Sequence, residues 1–277
     1  MSTATESGSL SRECSVVTVG TYDGVHLGHR RLIDETKRSA RERGCKSVVV
    51  TFAVHPSKVL RPDAPVPLLC TLEEKIALLK ETGIDEVVVL DFDSDRAHES
   101  AEDFVIRDLV GRLFVAEVVV GSNFRFGYKR HGDVALLQKL GSEYGFVTKG
   151  VELVLDDEHH SVVSSTRIRS LISTGELREA EHLLGRPYLL TGTIGAFSEL
   201  AVSNELLMPP SGSYLVTISQ ARGVGSSELV TVTGTAQIGD SGAIQLGSLA
   251  TGNDLDLSRP VDMAFDSDRE QLFEGDR

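Results

Sequence analysis

A strand that passes into a helix through a glycine-bounded turn constrains the fold of this chain more than any other feature. The strand is the apolar run Val16–Val19, the turn lies between Gly20 and Gly24, and the helix opens around His26. A second apolar run, Ser47–Phe52, follows that helix. Strand, helix and strand with short links form a βαβ unit, in which the two strands lie parallel in one sheet.

Two histidines stand at the start of that helix. His26 and His29 are three residues apart, and on a helix this spacing places both imidazoles on one face. Gly28 between them has no side chain, so a ligand can approach the backbone closely. A helix N-terminus also offers free N–H groups and the positive end of the helix dipole, which favour phosphate. The pattern predicts a triphosphate-binding cradle that needs no lysine, against the alternative of two surface histidines on an amphipathic helix.

The middle of the chain alternates strands and helices. The pattern predicts a first helix up to residue 43, further helices at 72–81, 100–113 and 134–144, and strands at 86–90, 117–121 and 146–154. This alternation predicts an α/β domain with an open, mostly parallel sheet covered on both faces. Ligands of such sheets bind beyond the carboxyl ends of the strands. Because His26, His55 and Asn123 each follow a predicted strand, we expect them to converge on that edge.

From residue 188 onward, helical periodicity gives way to short β-rich runs. These runs lie at 189–194, 214–219 and 228–236, and turns rich in Gly, Ser and Thr separate them. They predict a small antiparallel barrel or sandwich. We therefore expect a flexible tail at 1–13, an α/β domain at 14–187 and a β-rich, barrel-like domain at 188–277.

The charge distribution limits the ligands of this chain. Its 277 residues carry a formal net charge of −13, which disfavours a nucleic-acid-binding protein. Residues 188–277 hold four Arg and no Lys against twelve Asp and Glu, a net charge of −8, so residues 1–187 carry the remaining −5 and nearly all of the basic groups. An anionic substrate is therefore expected to bind to the first part of the chain.

The cysteines and the apolar segments of the sequence indicate the cellular compartment of the protein. Cys14, Cys45 and Cys70 form no CxxC pair, and an odd count without metal-ligand spacing predicts reduced thiols in a cytoplasmic protein. The sequence contains no apolar run of membrane-spanning length, and the first dozen residues lack the apolar core of a signal peptide. We therefore expect a cytoplasmic protein without a membrane partner.

The loop after the predicted strand at 117–121 reads Gly-Ser-Asn-Phe-Arg-Phe-Gly and ends at Gly127. Asn123 can donate and accept hydrogen bonds at the same time. Phe124 and Phe126 offer flat apolar surfaces for a ring, and Arg125 adds positive charge. Two aromatic residues in such a loop often belong to the core, but the asparagine and the glycines favour a binding role.

A third motif, at residues 164–169, reads Ser-Ser-Thr-Arg-Ile-Arg. Serine or threonine at the start of a helix caps free N–H groups, a role open to Ser164, Ser165 and Thr166. Arg167 and Arg169 are two residues apart and lie on different faces, so one can bind a phosphate while the other supports the structure. The alternative is a capped helix with two arginines and no ligand.

The loop after the second strand is less specific. Phe52 ends the strand, and Pro56 fixes the backbone and pushes His55 out of helical geometry. A ligand-binding loop and a structural turn before proline fit these residues equally well.

Together these motifs resemble the FMN adenylyltransferase (FAD synthetase) module of the prokaryotic bifunctional riboflavin kinase/FAD synthetases, a family within the nucleotidylyltransferase superfamily. The resemblance rests on the string from Gly20 to His29, on the GxNFxFG element and on the SSTRIR string. The chain departs from the family at Tyr22, where phenylalanine is more frequent, and at Ala53 and Val54, where an acidic-Pro pair is frequent.

The resemblance covers about residues 14–188 and implies a Rossmann-like nucleotidylyltransferase fold. It implies the reaction of ATP with FMN to give FAD and pyrophosphate, with Mg²⁺ accompanying ATP and no protein residue as a metal ligand. The catalytic residues that it implies are His26, His29, Asn123 and Arg167. The implied nucleotide-binding residues are Gly20, Thr21, Tyr22, Asp23, Gly24, Gly28, Ser164, Ser165, Thr166 and Arg169. The implied flavin- or acceptor-binding residues are Phe52, His55, Pro56, Phe124, Arg125, Phe126 and Gly127.

The second module of that family is a riboflavin kinase barrel marked by the string Pro-Thr-Ala-Asn. This chain has Ala201-Val202-Ser203-Asn204 in its place, without the threonine that helps to hold magnesium and without the basic glycine-rich nucleotide turn. The resemblance therefore implies that residues 189–277 form a shortened, degenerate relative of that barrel. We expect no riboflavin kinase activity.

Two other functions stay open at this point. One is adenylyl or cytidylyl transfer to another phosphorylated acceptor, because a chain that cannot make FMN need not use it. The other is a flavin- or nucleotide-binding protein without catalysis, which the intact His26, His29 and Arg167 disfavour. A NAD-dependent enzyme is disfavoured because no GxGxxG follows the first strand. The sequence is compatible with a homo-oligomer. It leaves open the identity of the acceptor and the choice between ATP and CTP.

Overall fold

The structure is a computed structural model of the chain. It describes residues 14–156, 161–195, 198–221, 228–247 and 255–266. The tail predicted at residues 1–13 lies outside the described residues.

The chain forms two compact units, and neither is continuous in sequence. The first comprises the residues up to Gly20, together with Leu32–Ala53 and Lys80–Glu152. The second comprises Thr21–Arg31, Val54–Leu79 and the residues from Leu153 onward. The division at 187/188 that the sequence suggests stays a prediction, although the first barrel strand begins at Leu189.

The described strands are β1 (Ser15–Val19), β2 (Lys46–Phe52), β3 (Glu86–Leu90), β4 (Val115–Gly121), β5 (Val147–Val151), β6 (Leu189–Ile194), β7 (Glu199–Val202), β8 (Gly212–Ala221), β9 (Leu229–Ile238), β10 (Ile244–Leu246) and β11 (Val261–Phe265). The described α-helices are α1 (Leu27–Arg43), α2 (Pro56–Leu60), α3 (Leu72–Glu81), α4 (Ser94–His98), α5 (Ala101–Phe104), α6 (Val134–Tyr144), α7 (Ser165–Thr174) and α8 (Leu177–Leu184). A π-helix at Val105–Arg112 and a 3₁₀-helix at Tyr128–Arg130 complete this description. None of the described helices is long and apolar enough to cross a membrane.

The first unit contains the predicted parallel sheet, with the strand order β3-β2-β1-β4-β5. In this sheet Val17 of β1 lies opposite Val48 of β2 on one side and Val118 of β4 on the other. These three valines belong to one hydrophobic cluster, whereas Val16 and Val119 belong to another, as expected for a sheet buried on both faces. The strand order reverses at β1, so the carboxyl ends of β1 and β4 mark the position where such sheets bind ligands.

Local patterns set several helix boundaries. The helices predicted at 72–81 and 134–144 are α3 and α6, with the same bounds. A capping box starts α3, because Thr71 N donates to Glu74 Oε2 at 2.6 Å and Glu74 N donates to Thr71 Oγ1 at 3.2 Å. The helix predicted at 100–113 begins with the expected cap, in which Asp103 N donates to Ser100 Oγ at 3.0 Å. However, α5 passes after one turn into the π-helix, which the sequence did not predict.

The second unit contains the β-rich region, and its described strands close into a barrel in the order β10-β7-β6-β11-β8-β9. Of the two predicted architectures, barrel and sandwich, the barrel is therefore observed. Alternate residues of β11, namely Val261, Met263 and Phe265, are buried in its core. Ile172 of α7 and Leu184 of α8 belong to the same hydrophobic cluster, so these helices and the barrel share a core.

The prediction that all cysteines are reduced was wrong for two of them. Cys14 and Cys45 form a disulfide, with their Cα atoms 4.9 Å apart, and Cys70 is a free, buried thiol. The cause is the sheet register. Cys14 precedes β1 and Cys45 precedes β2, and the parallel pairing of Ser15 with Lys46 brings the two cysteines together.

Candidate nucleotide-binding site

The turn between β1 and α1 has a strained backbone. Gly24 has φ +79°, and a Cβ there would lie 2.9 Å from Leu69 Cδ1, so the turn requires glycine. Tyr22 and Val25 also have positive φ, of 50° and 39°, although both side chains are fully buried. Positive φ is rare in residues other than glycine and persists where the surroundings enforce it, often at functional sites.

The two histidines stack on each other at the end of this turn. His26 directly precedes α1 and His29 lies in its first turn, and their ring centroids are 3.7 Å apart with an angle of 17° between the planes. The Tyr22 ring also packs on His29, with 4.9 Å between the centroids. A Cβ on Gly28 would lie 3.1 Å from His26 Cε1 and 3.2 Å from the Val163 carbonyl oxygen. The missing side chain therefore makes room for the His26 ring.

Hydrogen bonding fixes the state of one imidazole and leaves a ring nitrogen of the other without a partner. The backbone N–H of His29 donates to His26 Nδ1 at 3.4 Å. An accepting Nδ1 places the ring proton on Nε2, so His26 offers an Nε2–H donor. His29 Nδ1 is buried and has no hydrogen-bond partner within the described part of the chain. A buried polar atom of this kind indicates a place for a ligand or a water molecule.

Both imidazoles are neutral at pH 7. Burial, together with the positive charges of Arg169 and Arg186, lowers the pKa of His26 from 6.5 to about 4. Burial lowers the pKa of His29 well below its usual value, and His26, Arg169 and Lys75 add to the effect. The pair can therefore bind an anion by donating N–H groups, while the neighbouring arginines and lysine supply positive charge.

We expect the free energy of unfolding to fall as the pH drops from about 6.5 to about 4, because the unfolded chain then binds a proton at His26 that the folded protein excludes. The difference between a pKa of 6.5 and one of about 4 corresponds to roughly 3 kcal/mol. Urea unfolding at pH 7, 6, 5 and 4.5 measures this loss. In His26→Gln the loss should be smaller, and an equal loss in both proteins would contradict the lowered pKa.

Asp23 connects the turn to two other segments of the second unit. Its carboxylate accepts a hydrogen bond from the backbone N–H of Leu69 at 2.9 Å and forms an ion pair with Arg169. Its carbonyl oxygen accepts a hydrogen bond from Ser165 Oγ at 3.0 Å. Asp23 and Ser165, both predicted to bind nucleotide, therefore hold the turn against α7, and their nucleotide contacts stay predictions.

The start of α7 separates the two predicted arginines. Arg167 N donates to Ser164 Oγ at 3.3 Å, so Ser164 is the N-cap, while Thr166 is exposed. Arg169 Nε donates to the Pro67 carbonyl oxygen at 2.7 Å, in addition to the ion pair already described. Arg167 Nη2 donates to Asp156 Oδ2 at 2.9 Å, whereas Arg167 Nη1 is buried without a hydrogen-bond partner among the residues that the structure describes. Arg169 therefore supports the structure, and the phosphate contact of Arg167 stays a prediction.

Sequence reasoning missed Lys75, which lies beside the turn. Lys75 is buried, its Nζ donates to the Thr21 carbonyl oxygen at 3.4 Å, and burial lowers its pKa. The cradle therefore has an ammonium group close by, whereas the sequence predicted one that needs no lysine. A signal was present, because Lys75 is three residues after Leu72 and four before Leu79, on the apolar face of α3.

His55 has a structural role that needs no ligand. It is the N-cap of α2 in an extended conformation, with Pro56 at the first helical position, as the proline predicted. Ser57 N donates to His55 Nδ1 at 3.2 Å. Burial lowers the pKa of His55.

The residues of the GxNFxFG loop belong to the first unit. Asn123 is exposed just beyond β4. The rings of Phe124 and Phe126 stack with 5.3 Å between centroids and pack against the hydrophobic core of that unit. Arg125 Nη1 donates to Asp133 Oδ2 at 2.9 Å. The two aromatic rings are therefore partly core residues, whereas the side chain of Asn123 is exposed to solvent.

Three more predicted residues also lie in the first unit. Gly127 has φ +71°, and a Cβ there would lie 2.6 Å from Ala101 Cα, so the close packing of this loop requires glycine. Phe52 packs edge-to-face on Phe92. Gly20 N donates to the Val50 carbonyl oxygen at 3.1 Å.

The structure brings most of the predicted nucleotide-binding residues into one unit. The second unit contains Thr21, Tyr22, Asp23, Gly24, His26, Gly28, His29, His55, Pro56, Ser164, Ser165, Thr166, Arg167 and Arg169. The first contains Gly20, Phe52, Asn123, Phe124, Arg125, Phe126 and Gly127. The expected convergence of Asn123 with His26 and His55 stays a prediction, because these residues belong to different units.

Over the described ranges, no group of three or more His, Cys, Asp or Glu side chains could hold a metal ion. Mg²⁺ in nucleotide sites often keeps several waters and binds to substrate phosphates, with only one or two protein carboxylates. Magnesium bound together with ATP therefore stays a prediction.

Comparisons with known proteins indicate the family of this chain. Residues 9–167 match the family model described as FAD synthetase. The bifunctional riboflavin kinase/FMN adenylyltransferase of Escherichia coli (strain K12) is 36% identical over 189 residues, which are 68% of this chain and 60% of that protein. The protein of the same description from Pseudomonas fluorescens is 34% identical over 213 residues, which are 73% of this chain and 68% of that protein.

A solved structure supports the fold over nearly the whole chain. The crystal structure described as a macrolide-efflux protein from Streptococcus pneumoniae has a TM-score of 0.74 at 25% identity, and the match covers 91% of this chain and 92% of that one. The chain spans about three-fifths of the length of the Escherichia coli relative. The family match takes in both the strained histidine turn and the start of α7, and on this basis the chain belongs to the FAD synthetase family.

Proposed function

We propose that this chain is an FMN adenylyltransferase, which joins the AMP part of ATP to FMN and releases pyrophosphate. Membership of the FAD synthetase family supports this activity. The observation that carries it is the stacked pair His26 and His29 at the amino end of α1, in which both rings are neutral and His29 Nδ1 has no partner among the described residues.

In the proposed reaction a phosphate oxygen of FMN attacks the α-phosphorus of ATP in line. The new P–O bond forms while the bond from the α-phosphorus to the bridging oxygen breaks, and that oxygen leaves on pyrophosphate. No protein nucleophile is required, so catalysis depends on positioning and on stabilising charge in the transition state.

Each part of the site has a role in this scheme. His26 and His29 donate N–H groups to the α- and β-phosphate oxygens, and Arg167 holds the leaving pyrophosphate. Neutral imidazoles suit the first role, because two imidazolium ions with centroids 3.7 Å apart would repel each other. Asn123 and the rings of Phe124 and Phe126 are assigned to the flavin acceptor. The magnesium ion enters with ATP as part of the substrate.

The proposal is tested with a panel of nucleoside triphosphates and phosphorylated acceptors, assayed for pyrophosphate release. We expect ATP with FMN to give the highest turnover and one pyrophosphate per FAD. A preference for CTP, or for an acceptor without a flavin, would support the second reading of the sequence. Binding of FMN or ATP without release of pyrophosphate would support the non-catalytic one.

We further propose that this chain does not phosphorylate riboflavin. Phosphoryl transfer requires positioned magnesium and a binding site for the β- and γ-phosphates. Only Asn204 remains of the Pro-Thr-Ala-Asn string, and no lysine follows Lys149 in the sequence. β7 ends at Val202 in the described barrel, and Ser203 and Asn204 after it are exposed.

The expected result is that incubation with riboflavin, ATP and Mg²⁺ gives neither FMN nor FAD that chromatography detects. FMN added from outside should be converted to FAD in the same mixture, which shows that the enzyme is active. FMN or FAD formed from riboflavin over many turnovers per enzyme would contradict this interpretation of the barrel.

We place the reaction in the cytoplasm, because ATP is a cytoplasmic substrate. Because we assign no kinase activity to the barrel, we propose that its β surface forms a protein interface. One such interface is the contact between copies of this chain in a homo-oligomer. Sedimentation velocity over a range of protein concentrations tests the oligomer.

A further inference from the structure

Asp156 carries a buried carboxylate that the proposed reaction does not use. Only 4% of its surface is exposed. Burying an ionised carboxylate is costly unless a charged partner compensates it. Its Oδ2 accepts a hydrogen bond from Arg167 Nη2 at 2.9 Å, and its Oδ1 lies 3.6 Å from His182 Nε2.

Backbone pairing holds Asp156 in place. Asp156 N donates to the Ser161 carbonyl oxygen at 2.9 Å, and the preceding residue, Leu155, forms an antiparallel bridge with Val162. This paired segment leads within two residues to Ser164, the N-cap of α7. The carboxylate and the arginine that it binds are therefore both fixed by regular backbone structure within the second unit.

Arg167 is held through one nitrogen of its guanidinium group. Asp156 takes Nη2, whereas Nη1 is buried without a hydrogen-bond partner in the described ranges. The neighbouring Arg169 instead directs its Nε to Pro67 and its Nη2 to Asp23. The bond to Nη2 restrains the planar guanidinium and leaves the N–H groups of Nη1 for phosphate oxygens.

We propose that Asp156 is a positioning residue that holds Nη2 of Arg167 so that Nη1 meets the leaving pyrophosphate of ATP. This inference rests on the proposed function. A free arginine side chain would lose its rotamer freedom each time a substrate binds, and Asp156 removes that loss beforehand. In the opposite role, Asp156 would neutralise Arg167 and weaken its attraction for an anion. That role predicts that ATP binds more tightly when the carboxylate is removed.

A double-mutant cycle distinguishes these roles. Asp156→Asn, Arg167→Ala and the double variant are compared with the wild type by steady-state kinetics of FAD formation. We expect Asp156→Asn to lower kcat/KM for ATP about 10-fold or more and to change KM for FMN by less than about 2-fold. Because Asp156 acts through Arg167, the double variant should be no slower than Arg167→Ala, within about 2-fold. Losses that multiply in the double variant, or a gain in kcat/KM for ATP in Asp156→Asn, would overturn the proposal.

Two further variants control for loss of structure. Asp156→Glu keeps the charge and should recover part of the activity that Asp156→Asn loses, and it replaces that variant if Asp156→Asn does not fold. Glu179→Gln removes another carboxylate, in the first turn of α8, and should leave kcat/KM for ATP unchanged within about 2-fold. The proposal would be overturned if Asp156→Glu folds but is as slow as Arg167→Ala and Glu179→Gln loses as much kcat/KM for ATP. Such equal losses would mean that activity falls with any change of carboxylate in this region.

A binding measurement separates this inference from the proposed function. If the wild type forms no FAD, the proposed activity fails, and the cycle is then measured by calorimetric titration with magnesium pyrophosphate. Asp156→Asn should weaken the Kd for pyrophosphate about 10-fold and have no effect when Arg167 is already alanine. An unchanged Kd in Asp156→Asn would overturn the inference by itself.

Discussion

Replacing His29 by alanine is expected to lower kcat for FAD formation by about 100-fold or more in a protein that still folds. The His29 ring packs on His26 and Tyr22 at the strained turn, and its Nδ1 has no partner among the described residues. An N–H donor directed at the reacting phosphates is most effective where negative charge develops, so its loss should lower kcat more than it raises KM for ATP. Chromatography of FAD formed at several ATP concentrations measures both constants.

A matched histidine substitution and a folding measurement control this result. His98 is exposed, and its Nδ1 lies 2.7 Å from the Ser94 carbonyl oxygen. His98→Ala removes an imidazole that belongs to the first unit and is not among the predicted site residues. We expect its kcat to stay within about 2-fold of the wild type. Turnover close to that of the wild type in a folded His29→Ala protein would show that the histidine pair does not bind the reacting phosphates.

Removal of the disulfide between Cys14 and Cys45 is expected to lower the free energy of unfolding by about 3 to 4 kcal/mol. The two cysteines are 31 residues apart in sequence, and the bridge restricts the unfolded chain over the whole stretch that contains β1, the histidine turn and α1. Urea unfolding of the oxidised wild type and of Cys14→Ser/Cys45→Ser, both without reductant, measures the difference. Equal midpoints and slopes in the two proteins would contradict the expectation.

A thiol count establishes which state is being compared. In denaturant without reductant, the wild type should show one thiol, that of Cys70, and it should show three after reduction. Three thiols before reduction would mean that the bridge is absent and that the expectation from the sequence holds after all. Cytoplasmic reductants keep most thiols reduced, so the protein should be purified and measured without added reductant.

Much of the fold follows from local sequence patterns. Apolar, mostly valine-rich runs predicted the five sheet strands, and the sequence pattern also predicted the bounds of α3 and α6. The short elements α2 and α4 were missed, because five residues contain too little periodicity to recognise. The barrel strands β7 and β10 are shorter still, and their pairing depends on neighbours that are distant in sequence.

The difference between local patterns and contacts distant in sequence also explains which residues of the candidate site were predicted. His26 and His29 were found because the turn, the glycine and both rings lie within ten residues of sequence. Asp156 was missed because it belongs to an acidic run, and only the folded chain shows that this one carboxylate is buried against Arg167. The pairing of Cys14 with Cys45 could have been predicted, because each precedes a strand of the same parallel pair.

The most direct test of the central claim is the fate of the α-phosphate of ATP. The protein is incubated with Mg²⁺, FMN and ATP labelled at the α-phosphorus, and the products are separated by chromatography. If the chain transfers AMP to FMN directly, the label appears in FAD in a one-to-one ratio with unlabelled pyrophosphate, and His29→Ala forms the same product far more slowly. Label that stays in ATP, or that becomes attached to the protein while no FAD forms, would contradict the account.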